Sequence, residues 1–122
     1  MERIPSPDAV NRYGEQLAAV TNGIVRLFRE YYGRGPTKAK SYLLDERIVV
    51  CVLEDTMTTV EQTLVKNGHH PMVREVRLTF QEAMAAQFTG VVEKAMGRSV
   101  AAYHSQLTME PDMGFEFFVL ED

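Results

Sequence analysis

The sequence predicts an α+β fold: two antiparallel β-hairpins forming one small sheet, with two long helices and one short helix, in the order α-β-β-α-α-β-β. Three observations carry this. Two long segments repeat apolar residues in steps of three and four, as amphipathic helices do. Two pairs of short apolar or alternating segments are each joined by turn residues. The chain has 122 residues, 45% hydrophobic and 25% charged, so residues 1–122 read as a single globular domain with a core of its own.

Met1 to Ser6 read as a loose, flexible lead-in. The first helix starts near Pro7-Asp8, and its stripe runs through Val10, Tyr13, Leu17, Val20, Ile24, Leu27, Phe28 and Tyr31. Gly14 and Gly23 each cost it roughly 1 kcal/mol relative to Ala, which marks close packing against a neighbour. Gly33 stops it in a left-handed conformation. After the turn Gly33-Arg34-Gly35-Pro36, two extended segments follow, Lys38 to Leu44 and Arg47 to Glu54, joined at Asp45-Glu46. The second is apolar on both faces, which places it centrally in the sheet. Thr58 and Glu61 have capping-box spacing and open a short helix that Gly68 ends. His69-His70-Pro71 opens a second long helix with a stripe through Val73, Val76, Phe80, Met84, Phe88, Val91, Val92 and Ala95, ended by Gly97. In the last hairpin, Val100, Ala102 and His104 alternate with Ala101, Tyr103, Ser105 and Leu107. The turn at Glu110-Pro111-Asp112-Met113-Gly114 then leads into Phe115 to Leu120.

Length bears on assembly. Each long helix spans about 25 residues, or roughly 37 Å, whereas a seven-residue strand spans roughly 24 Å. A small sheet cannot cover both stripes. The expectation is a homo-oligomer, a dimer, in which the helices or the edge strands complete the burial.

Composition excludes several classes. A net charge of −4 suits non-specific binding to nucleic acid poorly, because phosphate attraction needs clustered cations. The longest apolar run, Ile48 to Leu53, is far short of the roughly 20 residues a spanning helix needs, so no direct membrane insertion is expected. Cys51, the single cysteine, lies inside that run as a small buried hydrophobe. One buried thiol and no signal peptide point to the cytoplasm.

The candidate constellations are sparse. Gly33-Arg34-Gly35-Pro36-Thr37-Lys38 resembles a phosphate loop, but its glycine spacing is wrong and it leads from helix to strand. It reads as a helix stop and stiff turn, with anion binding by Arg34 and Lys38 as the sharper alternative. Arg74, Arg77 and Gln81 flank the stripe near a helix start, where cations are unfavourable and imply a partner. The candidates are Glu75, Glu82, the Asp45-Glu46 turn, a bound anion or an acidic protein surface. His69 and His70 are adjacent and His104 stands alone, so no metal site is expected. His104 and Ser105 point to opposite faces of a strand and form no dyad. Glu116 and Glu121 read as strand-face and terminal charges. The methionines are scattered and build no single groove. No cofactor and no catalytic residue is assigned, and the chain is read as non-enzymatic.

Several stretches together resemble the MpsC-like family, described as a Na+-translocating membrane potential-generating system subunit. They are Tyr31 to Pro36, Leu53 to Glu61, Val73 to Arg77 with Phe80-Gln81, and Ala102 to Ser105 with Pro111-Asp112. The resemblance implies an accessory or regulatory interaction protein associated with a membrane ion or inorganic-carbon transport system, docking onto a transporter subunit from the inner face of the membrane. Arg34, Arg74, Arg77 and His104 are the expected contact residues. The alternative is a sensor that binds a small anionic metabolite through Arg34, Lys38 and Arg77.

Overall fold

A computed structural model describes residues 7–122, with side chains from residue 13. The lead-in expected over residues 1–6 and the side chain of Val10 lie outside the described residues. The elements are α1 (Pro7–Leu27), a π-helical turn (Phe28–Tyr32), β1 (Lys38–Leu44), β2 (Ile48–Glu54), α2 (Thr59–Lys66), α3 (His70–Ala83), α4 (Ala85–Met96), β3 (Val100–Met109) and β4 (Asp112–Leu120).

Each hairpin closes within the chain, and the two join through β2 and β4. One antiparallel sheet results, ordered β1-β2-β4-β3. β2 is an interior strand, as its two apolar faces require. The first hairpin turns tightly at Asp45 and Glu46, both at φ 52°, and Arg47 N donates to Leu44 O at 3.0 Å. Positive φ at both central residues is what primed hairpin turns demand, and neither residue is glycine.

The core lies between the sheet and the helical layer. From the sheet come Val49, Cys51, Leu53, Phe118 and Leu120; from the helices, Val20, Ile24, Phe28, Phe88 and Val92. None of these is more than 1% exposed. Phe28 stacks on Phe88 at 5.6 Å between ring centroids and tilts against Phe80 at the same distance. α1 and α4 touch closely. A Cβ on Gly23 would stand 2.5 Å from Val91 Cγ1, so only glycine admits this approach. Around Gly14 there is open space.

The structure corrects several expectations. The second long helix is two helices, broken at Met84 (φ −94°, ψ 1°). Buried positions run Val73, Arg77, Gln81, then Met84, Phe88, Val92, Met96. The step of three at Met84 resets the drift that steps of four accumulate on a 3.6-residue helix. Val76, expected in the stripe, is 51% exposed, and Arg77 and Gln81 face inward instead. The wide turn at Phe28–Tyr32 presents Tyr32 rather than Tyr31 to the core. A bulge between Val100 and Ala102 breaks the alternation of β3, so Val100 packs on the core with Tyr103. The two helical stripes cover each other and the helix-side face of the sheet. Among the described residues, large apolar side chains stay exposed both on the helices, at Tyr31, Val60, Met72 and Val76, and on the sheet, at Tyr42 and Leu44.

Candidate functional site

A polar knot at one end of the sheet ties five segments together. It begins where β2 ends. Asp55 takes a left-handed conformation (φ 59°), which aspartate tolerates better than most residues, and the chain turns beneath the helices. Arg34, just beyond the left-handed Gly33, donates from Nη2 to Asp55 Oδ2 at 2.8 Å and from Nη1 to Met57 O at 2.8 Å. Asp112, at the start of β4, accepts from Met57 N at 2.8 Å and from Thr56 Oγ1 at 3.0 Å. Thr58 and Glu61 form the expected capping box.

Glu61 is also the centre of a buried ion pair. Arg77 Nη1 lies 3.5 Å from Glu61 Oε1, and Arg77 Nη2 donates to Thr56 Oγ1. The Tyr32 hydroxyl donates to Glu61 Oε2, and the Tyr32 ring faces the guanidinium at 5.6 Å. Burial, then the Glu61 carboxylate, hold the Tyr32 phenol above its ordinary range, so it remains a donor.

A second polar feature crosses the core. Ser41, Cys51, Glu116 and Ser105 are consecutive partners across β1, β2, β4 and β3, all on the helix-side face. Thr21 Oγ1 lies 2.7 Å from Ser41 Oγ and ties the row to α1. Glu116 is fully buried, which corrects its reading as a strand-face charge. Its Oε2 accepts from the Tyr103 hydroxyl at 2.9 Å. Burial pushes its carboxyl up to about 7, with the Ser105 and Tyr103 hydroxyls and the Arg77 charge working the other way. Gln81 Oε1 is buried without a partner, and Glu116 Oε1 and Ser105 Oγ, neighbours across β4 and β3, have none besides each other. The Cys51 thiol, 0% exposed, is pushed up to about 11 chiefly by burial. It is the buried hydrophobe expected, not a nucleophile.

The cations singled out in the sequence do not converge. Arg34 and Arg77 are each paired within the chain, Arg34 with Asp55 at the surface and Arg77 with the buried Glu61. Arg77 is 3% exposed, and its partner is Glu61 rather than Glu75, Glu82 or the Asp45-Glu46 turn. Lys38 lies at the start of β1, opposite Glu54. Arg74 lies on the outward side of α3, in a shallow groove with Pro71, Glu75, Leu78, Thr79 and Glu82. His104 is exposed on β3, 6.3 Å from the Phe117 ring.

One candidate surface was missed in the sequence. The sheet face away from the helices is apolar at its centre and polar at its rim, and no described element packs on it; Val50 is 7% exposed and Val52, Phe115 and Phe117 are half-buried among their own neighbours. Its two middle rows, read across β1, β2, β4 and β3, are Lys40-Val52-Phe115-Gln106 and Tyr42-Val50-Phe117-His104. Leu44, Ile48 and Val119 extend it toward the β1–β2 turn. Tyr42 is 43% and Leu44 51% exposed. The signal was present: Phe115, Phe117 and Val119 alternate with Phe118 and Leu120, so β4, like β2, is apolar on both faces.

A family model described as "Na+-translocating membrane potential-generating system (MpsC)" matches residues 13–122. The chain belongs to the MpsC family. The match spans the polar knot, the buried row and the open sheet face, so all three are features of the MpsC-matched region. The stretches that carried the resemblance supply Tyr32, Arg34, Thr56, Glu61, Arg77 and Asp112, which meet in the knot. No curated protein and no solved structure matches the chain. Among the described residues of this MpsC chain, no helix is long and apolar enough to cross a membrane.

Two outcomes follow from the buried charges. Arg77→Met strands the Glu61 carboxylate and lowers stability by about 3 kcal/mol or more, whereas Arg77→Met with Glu61→Leu recovers much of the loss, measured by urea unfolding of both variants. Glu116 sets a pH dependence. Its folded value is raised, so its stabilising share is complete below the ordinary value of 4.5 and is lost as pH rises to about 7. That loss is on the order of 3 kcal/mol. Glu116→Gln flattens the slope, read from melting temperatures at pH 5 and pH 8.

Proposed function

We propose that this chain is a non-enzymatic accessory protein of a membrane ion- or inorganic-carbon-transport system. It acts in the cytoplasm as a homo-oligomer, through protein–protein contact. The family description supplies the link to a membrane potential-generating system. The uncovered apolar sheet face carries the contact reading. Monomeric proteins rarely leave more than a few hundred Å² of contiguous apolar surface in water, and larger patches mark interaction sites. Tyr42, Phe115 and Phe117 are aromatic, a residue class enriched at interfaces.

The same geometry favours contact over ligand sensing. An anion-binding site built from Arg34, Lys38 and Arg77 needs those cations to converge. Arg34 is paired with Asp55 and Arg77 with Glu61. The buried, proton-holding Cys51 also favours a role without covalent catalysis.

The test is affinity purification from the native host in gentle detergent, with mild crosslinking, comparing the native chain with Phe117→Lys. Recovery of a membrane transport subunit with the native chain, and its loss with a variant that still melts cooperatively, is the expected result. Recovery of the chain alone, with no membrane subunit, overturns the reading.

A further inference from the structure

We infer that the open sheet face is covered by the same face of a second copy, the two copies related by a two-fold axis parallel to the strands. The inference rests on the contact reading above only in taking this face to be an interface.

Size is the first argument. Four strands about 4.8 Å apart and seven residues long at about 3.3 Å each present a face of roughly 400 Å² in projection. That is about half of the roughly 800 Å² each partner contributes to a standard interface, the size of a weak pair that forms as the chain is concentrated. Two such sheets stack about 10 Å apart with strands nearly aligned, the ordinary geometry of a β-sandwich.

Complementarity then selects the axis. A two-fold axis along the strands keeps each row opposite itself and exchanges β1 with β3 and β2 with β4. Phe117 then lies over Val50 of the second copy, and Phe115 over its Val52. Large residues meet small ones throughout the centre, the arrangement that lets two layers interdigitate. At the rim, the Lys40 edge meets the Gln106 edge, and Tyr42 meets His104 of the second copy. An axis across the strands does the opposite. It lays Phe115 over Phe117 and Val52 over Val50, leaving a clash beside a gap. It also brings Lys38 and Lys40 of both copies to one edge, where like charges repel.

Such an interface is isologous and closed, so it ends at two copies. It gives every apolar side chain of β2 a dry environment on both sides. The outer edges, β1 with its lysines and the bulged β3, stay unpaired, as protected edge strands do.

The experiment uses crosslinking on the full chain. Cys51 is the chain's only cysteine and is buried, so an introduced thiol is the reactive one. Lys40→Cys and Gln106→Cys are prepared separately and treated with a short bis-maleimide, each alone and as an equal mixture. With the axis along the strands, the 40-to-106 pair faces across about 10 Å, whereas like positions are separated by the sheet width as well. Crosslinked dimer in the mixture and in neither variant alone, with a native mass by light scattering of twice 13.8 kDa, is the expected result. Crosslinking of Lys40→Cys by itself overturns the proposed axis. A mass of 13.8 kDa at every concentration overturns the second copy as occupant. If Phe117→Lys nevertheless loses the membrane subunit, the face takes that partner directly, and the contact reading survives the loss of this one.

Discussion

The structure depends on one imbalance: its sheet is apolar on two faces, and its helices form one layer. β2 shows the constraint in seven residues. Val49, Cys51 and Leu53 are sealed under the helices, while Ile48, Val50 and Val52 lie on the far side. A sheet buried on both faces is ordinary inside larger proteins. Here the described elements cover one face only, and α1 and α4 also pack on each other where Gly23 admits Val91. The uncovered face follows from that, and so does the case for contact as the mode of action.

The polar groups inside the fold serve a different purpose. Replacing a buried ion pair by well-packed hydrophobes is often neutral or stabilising, so the Arg77–Glu61 pair is weak evidence for stability as such. What it does is fix position. Arg77 from α3, Glu61 from α2, Thr56 from the loop and Tyr32 from the π-helical turn partner one another in one network. Asp112 and Arg34 extend the constraint to β4 and to the turn after α1. The knot therefore holds the short helices against the end of the sheet, where apolar packing is limited to the small cluster of Met57, Val65 and Val73.

Much of the fold was legible because its signals are local. Thr58 and Glu61 announced their capping box, Gly33 and Gly97 their left-handed stops, and the apolar run at β2 its central place. The family was legible as well, from stretches that turn out to meet in the knot. The illegible part was non-local. Arg77 reads as a surface cation until Glu61, sixteen residues away, is known to lie beneath it. Glu116 sits between Phe115 and Phe117, and only the pairing of β4 with β2 and β3 shows that it faces the helices rather than water. The break at Met84 involves neither glycine nor proline, so no residue marks it. The open face escaped notice for a related reason: strand patterns show that two faces are apolar, not how many layers of helix will cover them.

These elements fit the proposal that this MpsC chain works by being held against another surface. The central claim is that the outer sheet face is dry in the assembled protein, and fluorine NMR with fluorotyrosine placed at position 42 tests it most directly. Tyr42 is 43% exposed in the single chain and lies on the edge of that face. The account predicts that the solvent isotope shift between H2O and D2O shrinks as the chain is concentrated and returns when Phe117→Lys is introduced. A full isotope shift at every concentration, and also in the presence of membranes from the native host, would contradict it.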